Sequence, residues 1–294
     1  MNTIKVKAPA KINLTLDVIR RRSDGYHDLK MIMQTIDIYD ELTITETGAS
    51  NIELVMAKEL PEKLAPEDNL VYKAAKLMQE TYSLPGGFSI HLEKNIPAAA
   101  GLAGGSSDCA ATLLGINELF ELHLSKETLC ELGVTLGADV PFCIHKGTML
   151  AEGIGEILTP LPNLAPLWVV LLKPLISVST AEVFGNLNLR YLFSHPDTKL
   201  AIDAIAHRDY VSLGQNLENV LEFVTIEKYP LLADLKEFLL QSGALGALMS
   251  GSGPTVYGLF RDETLARIAL KTAESKYDSC EYFLCKTQIP ENES

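Results

Sequence analysis

The segment Pro97-Ala98-Ala99-Ala100-Gly101-Leu102-Ala103-Gly104-Gly105-Ser106-Ser107 constrains this chain more than any other. It stands between stretches of different character. Before it, Phe88, Ile90 and Leu92 fall on one face of a strand-like run. After it, Asp108-Cys109-Ala110-Ala111-Thr112-Leu113-Leu114 is rich in the helix-favouring residues alanine and leucine. A glycine-rich turn that opens a helix offers an anion unpaired backbone N–H groups and the positive end of the helix dipole. Glycine lets the backbone approach phosphate closely. Ser106 and Ser107 offer hydroxyls that cap the helix or meet phosphate or its metal. The alternative is a plain surface turn, and the serines and the strand–loop–helix setting argue against it.

Familiar phosphate loops fail against the residues present. A Walker loop needs lysine and then Ser/Thr after its last glycine, whereas Gly105 is followed by Ser106-Ser107. Gly153-Ile154-Gly155 and Gly251-Ser252-Gly253 both lack the third glycine of a dinucleotide fingerprint. His207-Arg208-Asp209 imitates a protein-kinase triplet, but Gly214 stands where that pattern needs asparagine, and no D-F-G occurs. The triplet is expected on a solvated helix face.

Charge and cysteine content narrow the function classes. A net charge of −13 argues against a general nucleic-acid surface. It also requires an anionic substrate to be held by local donors against an unfavourable field. Lys5, Lys7, Lys11 and Arg20-Arg21-Arg22 gather positive charge near the N-terminus. The five cysteines form no C-x-x-C pair, and with six scattered histidines they leave no zinc spacing, so reduced thiols in a cytoplasm are expected. Met1–Lys5 lacks the apolar core of a signal peptide. Leu167–Leu172, the longest strongly apolar run, is too short for a bilayer and reads as a buried strand, so no membrane partner is expected.

At 294 residues the chain suits two α+β domains. Prolines at 160, 162 and 166 signal a linker, which gives expected domains 1–160 and 161–294. In the first, Ile4, Val6 and Ala8 and then Ile12, Leu14, Leu16 and Val18 alternate as strands. A helix over Asn69–Tyr82 presents Val71, Ala74, Ala75 and Met78 on one face. In the second, strands at Leu167–Leu172, Val256–Phe260 and Tyr282–Cys285 alternate with amphipathic helices such as Leu231–Leu240.

The pattern P-x-x-x-G-L-x-G-G-S-S resembles the ATP loop of the GHMP kinase superfamily. Ala8-Pro9-Ala10-Lys11-Ile12-Asn13-Leu14, Asp24-Gly25-Tyr26-His27, Gly137-Ala138-Asp139-Val140-Pro141-Phe142 and Met249–Thr255 are similar to one branch of it. That branch phosphorylates the 2-hydroxyl of a cytidyl-diphosphate-linked sugar alcohol in the non-mevalonate isoprenoid pathway. The likeness runs from Lys11 to about Phe260. It implies an N-terminal domain related to ribosomal protein S5 domain 2, a ferredoxin-like C-terminal domain, ATP and Mg²⁺, and a monomer or weak homodimer. A homoserine or mevalonate-type kinase, the decarboxylase of the same fold, and a non-catalytic nucleotide sensor are the competing readings.

The resemblance also implies roles for single residues. Asp139 is the general base at the acceptor hydroxyl, and Lys11 stabilises it and the developing alkoxide; otherwise Lys11 is a surface strand lysine and Asp139 a helix cap. Residues Pro97–Ser107 hold ATP, with Asn69 and Leu70 toward adenine and Lys94 within reach of the nucleotide. Asn69 is equally a good N-cap, and Lys94 equally a solvated strand end. Tyr26 and His27 hold cytosine, unless Asp24-Gly25 is simply a hairpin turn with Tyr26 packed across it. Asn13 shares the strand face of Lys11. Thr180, in the capping-box sequence Ser179-Thr180-Ala181-Glu182, faces the substrate diphosphate. No acidic metal ligand is assigned. Ala103 replaces a common glycine, which a negative φ would tolerate, and Cys109 is a near-isosteric change from alanine.

Overall fold

The structure is a computed structural model that describes residues 2–57 and 65–289. In chain order the first half contains β1 (Thr3–Arg21), β2 (His27–Thr47), β3 (Ile52–Met56), α1 (Leu70–Thr81), β4 (Gly87–Glu93), α2 (Gly104–Leu119), α3 (Lys126–Val134), α4 (Val140–His145), β5 (Thr148–Gly153) and β6 (Ile157–Pro160). The second half contains β7 (Trp168–Pro174), α5 (Thr180–Asn186), α6 (Thr198–Ala206), α7 (Tyr210–Gln215), β8 (Glu218–Asn219), α8 (Glu222–Lys228), α9 (Leu231–Gln241), β9 (Gly246–Met249), β10 (Val256–Phe260), α10 (Glu263–Lys276) and β11 (Cys280–Lys286). Two compact units emerge. One comprises Met1–Ala10, Ile38–Ala98 and Ala103–His145; the other comprises Lys11–Asp37, Ala99–Leu102 and Lys146–Ser294. Both β1 and β2 pass from one unit into the other.

In the first unit, β4 pairs antiparallel with the end of β2 from Glu41↔Glu93 to Thr47↔Gly87, and parallel with β3. The alternation read from the sequence sets the face, for Phe88, Ile90 and Leu92 are all buried. Helix α1 buries Val71, Ala74, Ala75 and Met78, the expected stripe, and packs beside α2. Asn69 Oδ1 accepts from the N–H of Val71 at 2.9 Å, so this residue is the N-cap. Gly115 of α2 faces Ile44 and Val6 so closely that a Cβ would lie 2.8 and 2.9 Å from their side chains.

In the second unit, β11-β7-β10-β9 form an antiparallel sheet on which α9 and α10 pack. Val169–Leu172 are fully buried, which is why that run carries no polar alternation. The opening of β2 pairs antiparallel with β5, and β5 with β6. The short β8 pairs parallel with β1 at Thr15↔Glu218 and Leu16↔Asn219. The two alternating stretches at the N-terminus form one strand of 19 residues, buried on both faces from Ala8 to Val18. The triplet His207-Arg208-Asp209 is a junction between helices instead of a helix face: His207 closes α6, Arg208 has φ +56°, and Asp209 caps α7. None of the five cysteines is in a disulfide, and no helix among the described residues is long and apolar enough to cross a membrane.

Candidate active site

The centre of β1 is unusual because one of its buried faces is polar. Lys11, Asn13, Thr15 and Asp17 share that face and are 5%, 0%, 0% and 6% exposed. Buried polar groups require partners, and each has one. Lys11 Nζ donates to Asn13 Oδ1 at 2.8 Å, and the N–H of Gly251 donates to the same oxygen at 3.0 Å. Thr15 Oγ1 accepts from the N–H of Ile32, and Asp17 pairs with His195 Nδ1 at 2.7 Å. Lys11 is therefore a buried cation and not a surface strand lysine.

The glycine-rich segment is strained where the sequence suggested freedom. Ala99 and Ala103 have φ of +49° and +56°, and Gly101 has +74°. The negative φ that would let alanine replace glycine at Ala103 without strain is thus not adopted. A non-glycine residue in the left-handed region costs about 1 kcal/mol, and such strain collects at ligand-binding loops. Gly101 is required by contact as well as by φ, since a Cβ there would fall on the carbonyl oxygen of Ser250. Ser250 Oγ in turn donates to the Gly101 carbonyl at 2.9 Å, and the N–H of Lys11 donates to the Leu102 carbonyl at 3.1 Å.

Helix α2 begins at Gly104, with Ala103 as an N-cap that supplies no side-chain bond. The N–H groups of the first turn have no partner within the helix. The two serines diverge. Ser107 is buried and its hydroxyl donates to the Pro9 carbonyl at 2.7 Å, so its proton is committed within the fold and it does not cap the helix. Ser106 keeps its hydroxyl uncommitted among the described residues. A Cβ on Gly104 would lie 3.1 Å from Ile96 and 3.2 Å from Lys94 Nζ, whereas one on Gly105 would meet only Leu70 at 3.8 Å. Gly105 is the open position, and Leu70 stands beside it.

Lys94 is neither solvated nor free. Its ammonium bonds Asp40 and, at 2.7 Å, Asp108 Oδ2, with only 11% of its side chain exposed. Asp40 Oδ1 also accepts the N–H groups of Asn95 and Ile96, which pins the start of the loop. Burial opposes the charge on Lys94, but the two carboxylates outweigh it and raise its pKa. Burial pushes the Asp108 carboxyl well above its ordinary range despite Lys94, and Asp40 adds to the rise. Its Oδ1 is buried without a hydrogen-bond partner. A carboxyl whose pKa rises on folding holds its proton longer in the folded state, so its contribution lowers stability as pH climbs from the ordinary carboxylate range toward the raised value. Asp108→Asn is expected to remove that slope. The melting temperature of the variant minus that of the parent should grow as pH climbs above the ordinary carboxylate range, and a constant difference would show that the Asp108 carboxyl does not titrate differently on folding.

Asp139 is half-buried and directly precedes α4, where its carbonyl accepts the N–H of Cys143 at 3.1 Å. It belongs to the first compact unit, and Lys11 to the second. Tyr26 and His27 lie in the second unit. The N–H of Tyr26 donates to Asp24 Oδ1 at 3.1 Å in a turn through Gly25, yet the Tyr26 side chain is 60% exposed and is not packed across that turn. His27 stacks obliquely on Phe184 of α5 with centroids 5.2 Å apart, and burial and Arg21 lower its pKa. Ser179 caps α5, but Glu182 pairs with Lys228, so only half of the capping box forms. Thr180 Oγ1 lies 2.8 Å from Ser252 Oγ. In the arginine run Arg22 pairs with Asp24 and Asp28 and Arg20 with Asp28.

Several participants carried no sequence signal. Asp40 and Phe184 sit in ordinary strand and helix patterns, and Asn219 interrupts nothing. Asp108 reads as one more residue of a helix start. Among the described residues no cluster of three or more His, Cys, Asp or Glu side chains is arranged to hold a metal.

The family model for the GHMP kinases N terminal domain matches residues 69–147, and that for GHMP kinases C terminal matches 201–279. The chain is 49% identical over 282 residues to a 4-diphosphocytidyl-2-C-methyl-D-erythritol kinase of Acetivibrio thermocellus, covering 95% of this chain and 98% of that protein. It is 50% identical over 269 residues to the kinase of the same name from Lachnoclostridium phytofermentans, covering 92% of each. A crystal structure of 4-(cytidine 5'-diphospho)-2C-methyl-D-erythritol kinase superposes with a TM-score of 0.83 at 32% identity, covering 98% of this chain and all of that one.

Proposed function

The chain belongs to the GHMP kinases, and from that premise we propose that it transfers the γ-phosphoryl group of ATP to the 2-hydroxyl of 4-diphosphocytidyl-2-C-methyl-D-erythritol, in the non-mevalonate isoprenoid pathway. The observation that carries this reading is the near-half identity to kinases of that name over almost the whole of both chains. Fold likeness alone would not choose, because homoserine and mevalonate kinases share it at under 20% identity.

Phosphoryl transfer needs positioning, charge neutralisation and a proton acceptor. We assign the proton of the acceptor hydroxyl to Asp139, with the Lys11 ammonium meeting the charge that develops on the alkoxide. Segment Pro97–Ser107 takes the phosphates, chiefly on the first-turn N–H groups left open beside Gly105, with Asn69 and Leu70 toward adenine. Lys94 acts through its carboxylate partners as a brace under the loop. Tyr26 and His27, with Phe184, form the base side; Asn13 and Thr180 complete the acceptor side. Mg²⁺ chiefly accompanies the ATP phosphates, as this ion commonly does, and supplies charge neutralisation there; the Ser106 hydroxyl is the protein oxygen that fits it. Residues 1–160 form the ATP-binding domain and 161–294 the substrate-side domain. Five cysteines outside any disulfide suit a reducing cytoplasm, and the working unit is a monomer or weak homodimer.

Coupled ADP release with Mg²⁺-ATP and a panel of acceptors tests the assignment. ADP should form in step with consumption of the cytidyl compound and remain at background with homoserine or mevalonate. Release with either of those, and none with the cytidyl compound, would reassign the substrate.

A further inference from the structure

Lys11 Nζ is placed by Asn13, and Asn13 is itself placed from far away in the chain. Its Oδ1 accepts two donors, Lys11 Nζ at 2.8 Å and the N–H of Gly251 at 3.0 Å, while Tyr257 Oη donates to its carbonyl at 2.7 Å. Gly251 has φ +57° and stands in the turn that follows β9. That turn is gripped by a single amide. Asn219 Nδ2 donates to the carbonyls of Met249 and Gly251, both at 2.8 Å, and Oδ1 accepts the N–H of Leu221 at 3.0 Å, which fixes the way the amide faces. Glu222 Oε1 takes the N–H of Met249 at 2.8 Å, and its other oxygen is held by Lys236. Asn219 is 2% exposed and lies in β8, registered beside Leu16 of β1. The hydrogen bonds thus run without a gap from Asn219 through Gly251 and Asn13 to a buried ammonium.

We propose that Asn219 is a positioning residue that sets the Lys11 ammonium by way of the Met249–Gly251 turn and Asn13. This inference rests on the reading of Lys11 as a catalytic group. Both amide hydrogens of Asn219 are committed to carbonyl oxygens, so Asn219→Asp replaces two donors with an oxygen that repels both acceptors. The turn then shifts, Gly251 releases Asn13, and the ammonium loses its fixed place. Misplacement of a reacting group by about 1 Å can cost 10²-fold.

Asn219→Asp is expected to lower kcat by about 10-fold to 100-fold, with calorimetric Kd values for ATP and acceptor within roughly threefold of the parent. Asn219→Ser keeps one donor and no charge; it should give a smaller loss in the same direction, and it carries the test if the Asp variant fails to fold. The decisive arm is the cycle with Lys11→Ala. If Asn219 acts through Lys11, the double variant is no slower than Lys11→Ala alone. Losses that multiply would overturn the inference while leaving the role of Lys11 standing. Normal kcat in Lys11→Ala would overturn that role and the inference together.

Discussion

Asp139→Asn should lower kcat by about 10²–10⁴-fold, the range for loss of a general base, while ATP and the acceptor still bind. The substitution preserves size and part of the hydrogen bonding but removes the proton acceptor. Asp139 is half-buried at the start of α4, and its backbone carbonyl serves that helix independently of the side chain. The fold should therefore survive, and calorimetry on the folded variant separates binding from chemistry. Lys11→Ala should be comparably severe. If both residues serve the proton transfer proposed above, the double variant should be little worse than the worse single. Near-normal turnover in Asp139→Asn would leave catalysis to positioning and metal charge without a dedicated base.

Gly105→Val should cost nearly as much, but in binding. The obvious glycine to change is Gly104, yet a Cβ there presses on Ile96 and on the Lys94 ammonium, so any loss would mix nucleotide binding with damage to the Lys94–Asp40–Asp108 cluster. Gly105 meets only Leu70 at 3.8 Å. Valine at this exposed first-turn position is a better helix former than glycine, so the melting temperature should hold. Its branched side chain stands over the open N–H groups. Losing two hydrogen bonds to a charged phosphate costs about 3–6 kcal/mol, which weakens ATP binding by roughly 10²–10⁴-fold. A folded Gly105→Val with unchanged ATP affinity would take the phosphate away from this loop.

Local signals in the chain survived into the structure where neighbours in sequence are also neighbours in space. The alternation of Phe88, Ile90 and Leu92, the stripe Val71, Ala74, Ala75 and Met78, and the caps at Asn69 and Ser179 all follow from periods of two and 3.6 or from a side chain reaching two or three residues ahead. Signals failed where the partner is distant. Ser107 looks like a cap, but Pro9 claims its hydroxyl from 98 positions away. Lys94 reads in part as a solvated strand end, and instead its ammonium bonds Asp40, 54 positions away, together with Asp108.

What the sequence by itself determined is therefore the strand–loop–helix order around Gly101–Gly105, the helix faces, and the family to which its motifs point. Each depends on steric preference and periodicity over a few residues. Only the tertiary structure decided that β1 carries a buried polar face, that Ala103 adopts a left-handed conformation, and that Asn13 is held by Gly251 from 238 positions away. Burial makes those choices. Removing Lys11, Asn13 and Asp17 from water obliges each to find a partner, and which partner is near depends on how the whole chain packs.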